Sequence, residues 1–562
     1  MLPIKYRAKA EPSAISTLRQ AGLSQLVSEC LARREVSSPE IALLKQKLLP
    51  YTLLKGIKET ALGLARAIIN KEPMVVVADY DCDGATACAI AVSGLANLGA
   101  DIDFVVPDRL VHGYGLTPSV VDVAIRKNPR HIITVDNGIA SIAGVERVKE
   151  LGLSVWVTDH HLPGDSLPIA DGIVNPNQPG CQFPSKNLAG CGVMFYVLWA
   201  VKDALKALGR PVEMSMNDYL DLVALGTVAD VVKLDDNNRW FVHHGLERIR
   251  QGYMRPGIHA LFEVSRRDWE MATSSDFGFS LGPRLNAAGR LSDMSIGIRC
   301  LLAGDEEEAD SLAKDLCVLN EERKDVESLM KDKALDVVET QKNLFTRVVY
   351  GEDFHEGVIG IVAGRIKEKE FAPTIVFAPA VHEKGVIKGS GRSIPSVHLR
   401  DALDMVYKKH PNWFLKFGGH SMAAGLSLYE EFLEEFHKEF NRVVGDMLGG
   451  VKPQQYLVSD GSLPPHLFSI ETAKELSLSV WGQGFEEPVW VNDFWVKDVS
   501  EMGPEKNHLR IIVEQGGQQF SALHFFNVED KPLKDTKITL AYKVQYSVFN
   551  KTEKVDLIVV DR

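Results

Sequence analysis

Cysteine is scarce and scattered: Cys30, Cys82, Cys88, Cys181, Cys191, Cys300 and Cys317, with no CxxC spacing. An odd, unpatterned set excludes a disulfide framework and a thiolate zinc site, and fits a reducing compartment, the cytoplasm. Long hydrophobic runs are also missing. The longest, Leu188 to Val201, falls short of the roughly 20 residues that span a bilayer and reads as a buried helix. The start, MLPIKYRAKAEPS, lacks the apolar core of a signal peptide, so no membrane association is expected. Positive charge is in deficit: 63 Lys and Arg stand against 75 Asp and Glu, a net charge of −12. That excludes a protein that coats nucleic acid through a bulk positive field. It still allows a local basic channel, or a bound cation that meets a phosphate.

What is present is size and a rhythm. A chain of 562 residues is too long for one core and predicts three or four domains. Residues 1–50 read as a polar helical segment without evident chemistry. Residues 51–304 alternate strand and helix patterns, which predicts an α/β domain with a doubly wound parallel sheet. The organising stretch is Met74 to Gly84, MVVVADYDCDG: a buried-strand run that delivers Asp79, Asp81 and Asp83 to its carboxyl end, where open α/β sheets bind ligands. The strand HIITV ends at Asp136-Asn137-Gly138, SVWVT ends at Asp159-His160-His161, and Asp230 follows the helix expected over Asn217 to Thr227, in GTVADVV. Separate strand ends thus bring acids and imidazole to one sheet edge. Oxygen-rich ligands at this density suit hard divalent cations, Mg²⁺ or Mn²⁺. Asp136, on the central strand, is the best candidate to bridge two of them.

Downstream, GPRLNAAGR offers Arg284 and Arg290 as planar forks for phosphate, with glycines read as a tight turn. From Asp305 to Asn343 there is no Gly or Pro. An apolar stripe at 309, 312, 316, 319, 326, 330, 334 and 337 predicts one long helix over 305–343, bridging two lobes. The lobe at 344–448 carries His355, the string GSGRS and FGGHSMAAG. The last part, 449–562, reads as all-β: alternation in five segments, with turns at Gly516-Gly517 and Asn550-Lys551, predicts a small barrel. Of its aromatics, Trp490, Phe494, Trp495, Phe520, Phe525, Phe526, Tyr542, Tyr546 and Phe549, most are expected in the core.

DYDCDG, DNG and DHH, in this order and spacing, resemble the DHH phosphoesterase superfamily. Arg109 followed by HGYGL, together with GPRLNAAGRL, HEGVIGIVAGR, GSGRS and FGGHSMAAG, is similar to its bacterial branch of single-strand-specific 5′→3′ DNA exonucleases, over nearly the whole chain from about residue 50. The resemblance implies a DHH catalytic domain, a smaller α/β companion (DHHA1) domain and a C-terminal OB-like barrel. It implies two divalent ions, Mn²⁺ or Mg²⁺, held by Asp79, Asp81, Asp83, Asp136, His160 and Asp230, with Asp81, Asp136, His160 and His161 catalytic and His161 turned toward the scissile phosphate. It further implies that Arg109, Tyr114, Arg284, Asn286, Arg290, His355, Ser390, Arg392, Gly419 and His420 bind substrate phosphate. Tyr114 would offer a stacking face and the arginine pair a pocket for the 5′ end. The implied activity is hydrolysis of single-stranded DNA to 5′-mononucleotides in repair and recombination. The implied partners are a single-strand-binding protein, a RecQ-type helicase and mismatch-repair proteins, with the chain itself a monomer. Two other readings stay open: a DHH enzyme acting on oligoribonucleotides or cyclic dinucleotides, and a non-catalytic DNA-binding scaffold, which would be expected to have eroded ligands.

Overall fold

A computed structural model describes residues 1–108, 111–381, 383–529, 531–549 and 552–562, without the side chain of Phe549. The chain opens on a strand that local pattern does not announce, β1 (Ile4–Tyr6), ahead of helices Pro12–Gln20, Gln25–Ala32 and Pro39–Ala42. The first segment is therefore not wholly helical. Three half-polar residues become a strand only because they pair in parallel with residues 457–459, far along the chain.

The α/β domain holds a five-stranded sheet of β2 (Met74–Ala78), β3 (Ile102–Val105), β4 (His131–Val135), β5 (Ser154–Thr158) and β6 (Gly172–Val174), in the spatial order β3-β2-β4-β5-β6. Every neighbouring pair is parallel. Successive residues of a strand face opposite sides, and the two cores follow that alternation. Met74, Val76 and Ala78 pack with helices Ile57–Ile69, Cys82–Asn97 and Gly190–Ala207, whereas Val75 and Val77 pack with helices Pro118–Ala124 and Ile142–Glu150. Both faces are thus covered, as a doubly wound sheet requires. The short β6 escapes sequence reading because it lies between two loop-like stretches.

Helix Glu306–Glu339 begins at Asp305, whose carboxylate accepts the Glu308 N–H at 2.9 Å. Its 34 residues rise about 51 Å at 1.5 Å each. It ends at Glu339, short of the expected Asn343. Ala309, Ala313 and Leu316 join the core of the first lobe, and Met330, Ala334 and Val338 that of the second. Between them the buried stripe turns polar, Arg323 pairing with Glu327, which also receives Arg365. Val337, expected inside, is exposed.

The companion lobe has β7 (Arg347–Tyr350), β8 (Thr374–Pro379), β9 (Val386–Arg392), β10 (Phe414–Gly419) and β11 (Ala423–Tyr429), in the order β10-β11-β9-β8-β7. After β12 (Leu457–Ser459) the last part is not all-β: helix Ile470–Leu478 precedes the barrel. The barrel is closed, from β13 (Trp490–Met502), β14 (His508–Gln515), β15 (Gln518–His524), β16 (Lys537–Phe549) and β17 (Thr552–Asp561). The turn expected at Asn550-Lys551 lies outside the described residues. Trp490, Phe494, Phe520 and Tyr542 are core, while Trp495, Phe525 and Phe526 face solvent.

Beyond the β1–β12 pairing, Arg34 grips Asp460 through two hydrogen bonds of 3.0 and 3.2 Å, with both side chains 3% exposed. Removing Arg34 leaves the buried Asp460 carboxylate with the longer Arg7 contact, at 3.7 Å, as its cation. Arg34→Met is therefore expected to cost this junction about 3 kcal/mol, read as faster amide exchange in β12. Adding Asp460→Asn to it recovers part of the loss.

Candidate metal centre and phosphate cleft

The acids arrive at one place by different routes. Asp79 leaves the end of β2, buried, and accepts the Tyr80 N–H at 2.7 Å. Asp81 caps helix Cys82–Asn97, accepting from Gly84 N at 2.9 Å. Asp83 is not on the strand but in the first turn of that helix. It accepts from Gly190 N at 2.5 Å and Cys191 N at 2.9 Å, the first amides of helix Gly190–Ala207, which have no carbonyl partner within their own helix.

Asp136 follows β4 in a left-handed conformation, φ 59°, an uncommon one for a residue other than glycine and a mark of functional strain. Its N–H donates to Thr158 O at 3.0 Å. Asn137 bridges the ends of β2 and β4, donating to Val77 O and Val135 O. A Cβ on Gly190 would stand 2.6 Å from Asp136 Cβ, so only glycine lets that helix meet the acid. Asp230, expected just after a helix over Asn217 to Thr227, is the C-cap of helix Leu220–Ala229.

His160 Nε2 lies 3.0 Å from Asp136 Oδ1 and 3.5 Å from Asp230 Oδ2. All three atoms are buried without a hydrogen-bond partner. Native structures rarely leave such groups unmatched without an ion or water. Two triads, Asp79/Asp81/Asp136 and Asp83/His160/Asp230, each have ligand atoms within 4.8 Å of one another, and Asp136/His160/His161 forms a third that joins them. Burial, and then the charges of neighbouring carboxylates, hold Asp136 and Asp230 well above the ordinary carboxyl range, and raise Asp81 less strongly. Burial, and then His161, lower His160, which leaves its imidazole neutral and its lone pair available. This donor set fits a pair of hard divalent cations.

Asp159, missed among the expected site residues, orients the second histidine. It accepts from Ile139 N, His160 N, His161 N and His161 Nδ1, the last at 2.8 Å. Burial alone would lower His161, but the Asp159 bond and charge raise it to about 10. The Tyr114 hydroxyl lies 3.2 Å from His161 Nε2. The supporting acid is the first letter of the DHH triplet itself, so the signal was in plain view.

GPRLNAAGRL is a helix, Gly282–Leu291, not a turn. Its Gly289 serves close approach: a Cβ there would stand 1.7 Å from Tyr80 O. Asn286 Oδ1 accepts the Cys82 N–H at 2.8 Å, tying this helix to the acidic turn. Arg284 donates to Ser280 O, and Arg290 reaches across the lobes to Gly357 O at 3.1 Å. The π-turn Phe277–Leu281 before it packs Gly278 against Val228 and leaves Phe279 81% exposed; sequence reading passed over this ring because it stands in an apolar run.

In the companion lobe Gly360 faces Ser390 Oγ and an Arg392 Nη, where a Cβ would lie 2.9 and 3.0 Å from them. Gly419, at φ 138°, and exposed His420 form the following turn. Burial, then the charges of Arg392 and of His161 across the cleft, lower His420. His355 Nδ1 accepts from Gly357 N in the loop that Arg290 touches. Arg109 lies outside the described residues.

Three family models match: DHH family, N-terminal domain, over residues 73–227; DHHA1 domain over 341–446; and RecJ OB domain over 459–561. The chain is 44% identical over 543 residues to the single-stranded-DNA-specific exonuclease RecJ of Haemophilus influenzae, covering 94% of each. To the protein of the same name from Escherichia coli it is 43% identical over 557 residues, 96% of each. Among solved structures it is similar to Thermus thermophilus RecJ in complex with Mn²⁺, with TM-score 0.82 and 28% identity over 99% of this chain and 79% of that one. The Mg²⁺ complex from the same organism gives TM-score 0.76 and 26% identity over 99% of this chain and 78% of that one.

Carboxyls whose folded pKa is raised bind protons more tightly folded than unfolded, so protons relieve the cluster as pH falls and a cation does so at high pH. Mn²⁺ at a hundred times its Kd is therefore expected to stabilise the metal-free chain by about 2.7 kcal/mol at pH 8. Thermal melts should show that gain shrinking as pH is lowered toward 5. A gain that is flat with pH would mean the ion binds elsewhere.

Proposed function

The chain belongs to the RecJ family of single-stranded-DNA-specific exonucleases, and from that premise we propose that it hydrolyses single-stranded DNA from the 5′ end, releasing 5′-mononucleotides, with two divalent ions, Mn²⁺ or Mg²⁺. The observation that carries the reading is the convergence of Asp136 Oδ1, His160 Nε2 and Asp230 Oδ2, buried and without hydrogen-bond partners. Asp79, Asp81 and Asp136 would hold one ion and Asp83, His160 and Asp230 the other, with Asp136 between them. When bound, such a pair lowers the pKa of a water and neutralises charge on the phosphate.

The remaining steps belong to this chain's own groups. Asp159 keeps His161 protonated, and its exposed ring is placed to donate to a non-bridging phosphate oxygen; Tyr114 fixes its orientation. Ser390, Arg392, Gly419 and His420, with His355 and Arg290 beside them, receive the terminal phosphate from the companion lobe. Arg284 follows the strand backbone, and Asn286 holds the acidic turn in place. Exposed Tyr114 and Phe279 offer stacking faces to unpaired bases, which a duplex cannot present. Trp495, Phe525 and Phe526 offer the same on the barrel.

No described helix is long and apolar enough to cross a membrane. The proposal places the enzyme in the cytoplasm, in repair and recombination, recruited by a single-strand-binding protein, a RecQ-type helicase or mismatch-repair proteins.

Asp136→Ala is expected to reduce hydrolysis of end-labelled single strands by at least about 1,000-fold, an order set by the loss of a site's central electrostatic group, while gel-shift affinity for the strand stays within a few-fold. Arg392→Ala should raise KM for 5′-phosphorylated strands more than for 5′-hydroxyl ones. Faster turnover of dinucleotides than of long strands by the unaltered chain would overturn the substrate assignment.

A further inference from the structure

Away from the acid cleft, one more group of ligating side chains stands among the described residues: His243, His244 and Glu247, on helix Asp236–Arg250. A helix advances about 100° per residue, so Glu247 lies one turn on, about 40° from His243 and about 60° from His244, between the two. The sequence HHGLE thus gathers two imidazoles and a carboxylate on one face. One ligand atom from each lies within 4.8 Å of the other two.

The group is not explained by its own contacts. His243 Nε2 and Glu247 Oε1 are 3.6 Å apart, too far for a hydrogen bond. His244 is fixed from outside: its Nε2 meets the Leu44 carbonyl at 3.0 Å, and its ring lies against Trp240 with centroids 4.1 Å apart. A carbonyl only accepts, so Nε2 carries the proton and Nδ1 the lone pair. A backbone carbonyl that sets the tautomer of an imidazole is the support that metal-bound histidines use.

We propose that His243, His244 and Glu247 bind one zinc-class cation, with the fourth position open to water. Two nitrogens and one oxygen suit Zn²⁺, whereas the oxygen-rich acid cleft suits Mg²⁺ and Mn²⁺, so the two places select different ions. The ion sits where this helix meets the N-terminal segment. By polarising the His244 ring it strengthens the bond to Leu44 and pins that segment to the α/β domain.

The test uses the full chain dialysed against micromolar Zn²⁺ in millimolar Mg²⁺, with zinc per chain counted. The unaltered chain is expected to retain one zinc more than His243→Ala or Glu247→Gln. Zinc should raise its Tm but not theirs, and Ni²⁺ should quench Trp240 fluorescence, a signal identified by its absence in Trp240→Phe. His243 is partly exposed and makes no hydrogen bond, so the first variant folds. All three proteins should hydrolyse single-stranded DNA alike with Mg²⁺, which separates this site from the nuclease reading. Equal zinc content in the unaltered chain and either variant, or quenching that survives His243→Ala, overturns the proposal.

Discussion

The structure turns on electrostatic crowding. Asp79, Asp81, Asp83, Asp136 and Asp230 converge with two histidines in a space where water screens little, and like charges at such distances repel by several kcal/mol even at a moderate effective dielectric. Most of these acids are therefore pinned by a feature of the backbone. Asp81 is a helix cap, Asp83 sits on the amides of a second helix, Asp136 is held in a left-handed conformation against Thr158, and Asp230 closes a third helix. The scaffold positions charge that it does not itself neutralise, and the unpartnered Asp136, His160 and Asp230 atoms mark what is left over. That remainder is what a bound cation pair satisfies.

The second lobe has meaning only in relation to this centre. One helix enters both cores, Ala313 and Leu316 in one and Ala334 and Val338 in the other. Arg290 spans the gap to Gly357, and the charge of His161 reaches His420 across it. At the other end, β1 and Arg34 fasten the N-terminal segment to β12 and Asp460, just ahead of the barrel.

Much of this was legible in the sequence, and the reason differs by residue. Val75, Val76 and Val77 followed by alternating acids announce a buried strand and its ligand edge, and the sheet has that form. The triplet Asp159-His160-His161 and the turn at Asp136 are local in sequence, so they could be read. Whether Asp83 closed the strand or opened the following helix could not, since helix onset one residue earlier or later is a matter of capping geometry. GPRLNAAGR looked like a turn because its glycines suggested flexibility; they are there because Tyr80 O and Phe277 O come too close for a side chain. β1 was invisible because a strand of three residues is made by its partner, and that partner lies some 450 positions away. Asp159 was read as part of a motif rather than as a support, although a carboxylate two residues from a histidine is a short-range signal.

The centre is proposed to hold a pair of cations flanking Asp136. Anomalous diffraction from a crystal of the full chain soaked in Mn²⁺ measures them directly. Two peaks are expected, one among Asp79, Asp81 and Asp136 and one among Asp83, His160 and Asp230, with Asp136 touching both. A single peak, or none with Asp136 and His160 still facing each other, would contradict the two-ion centre.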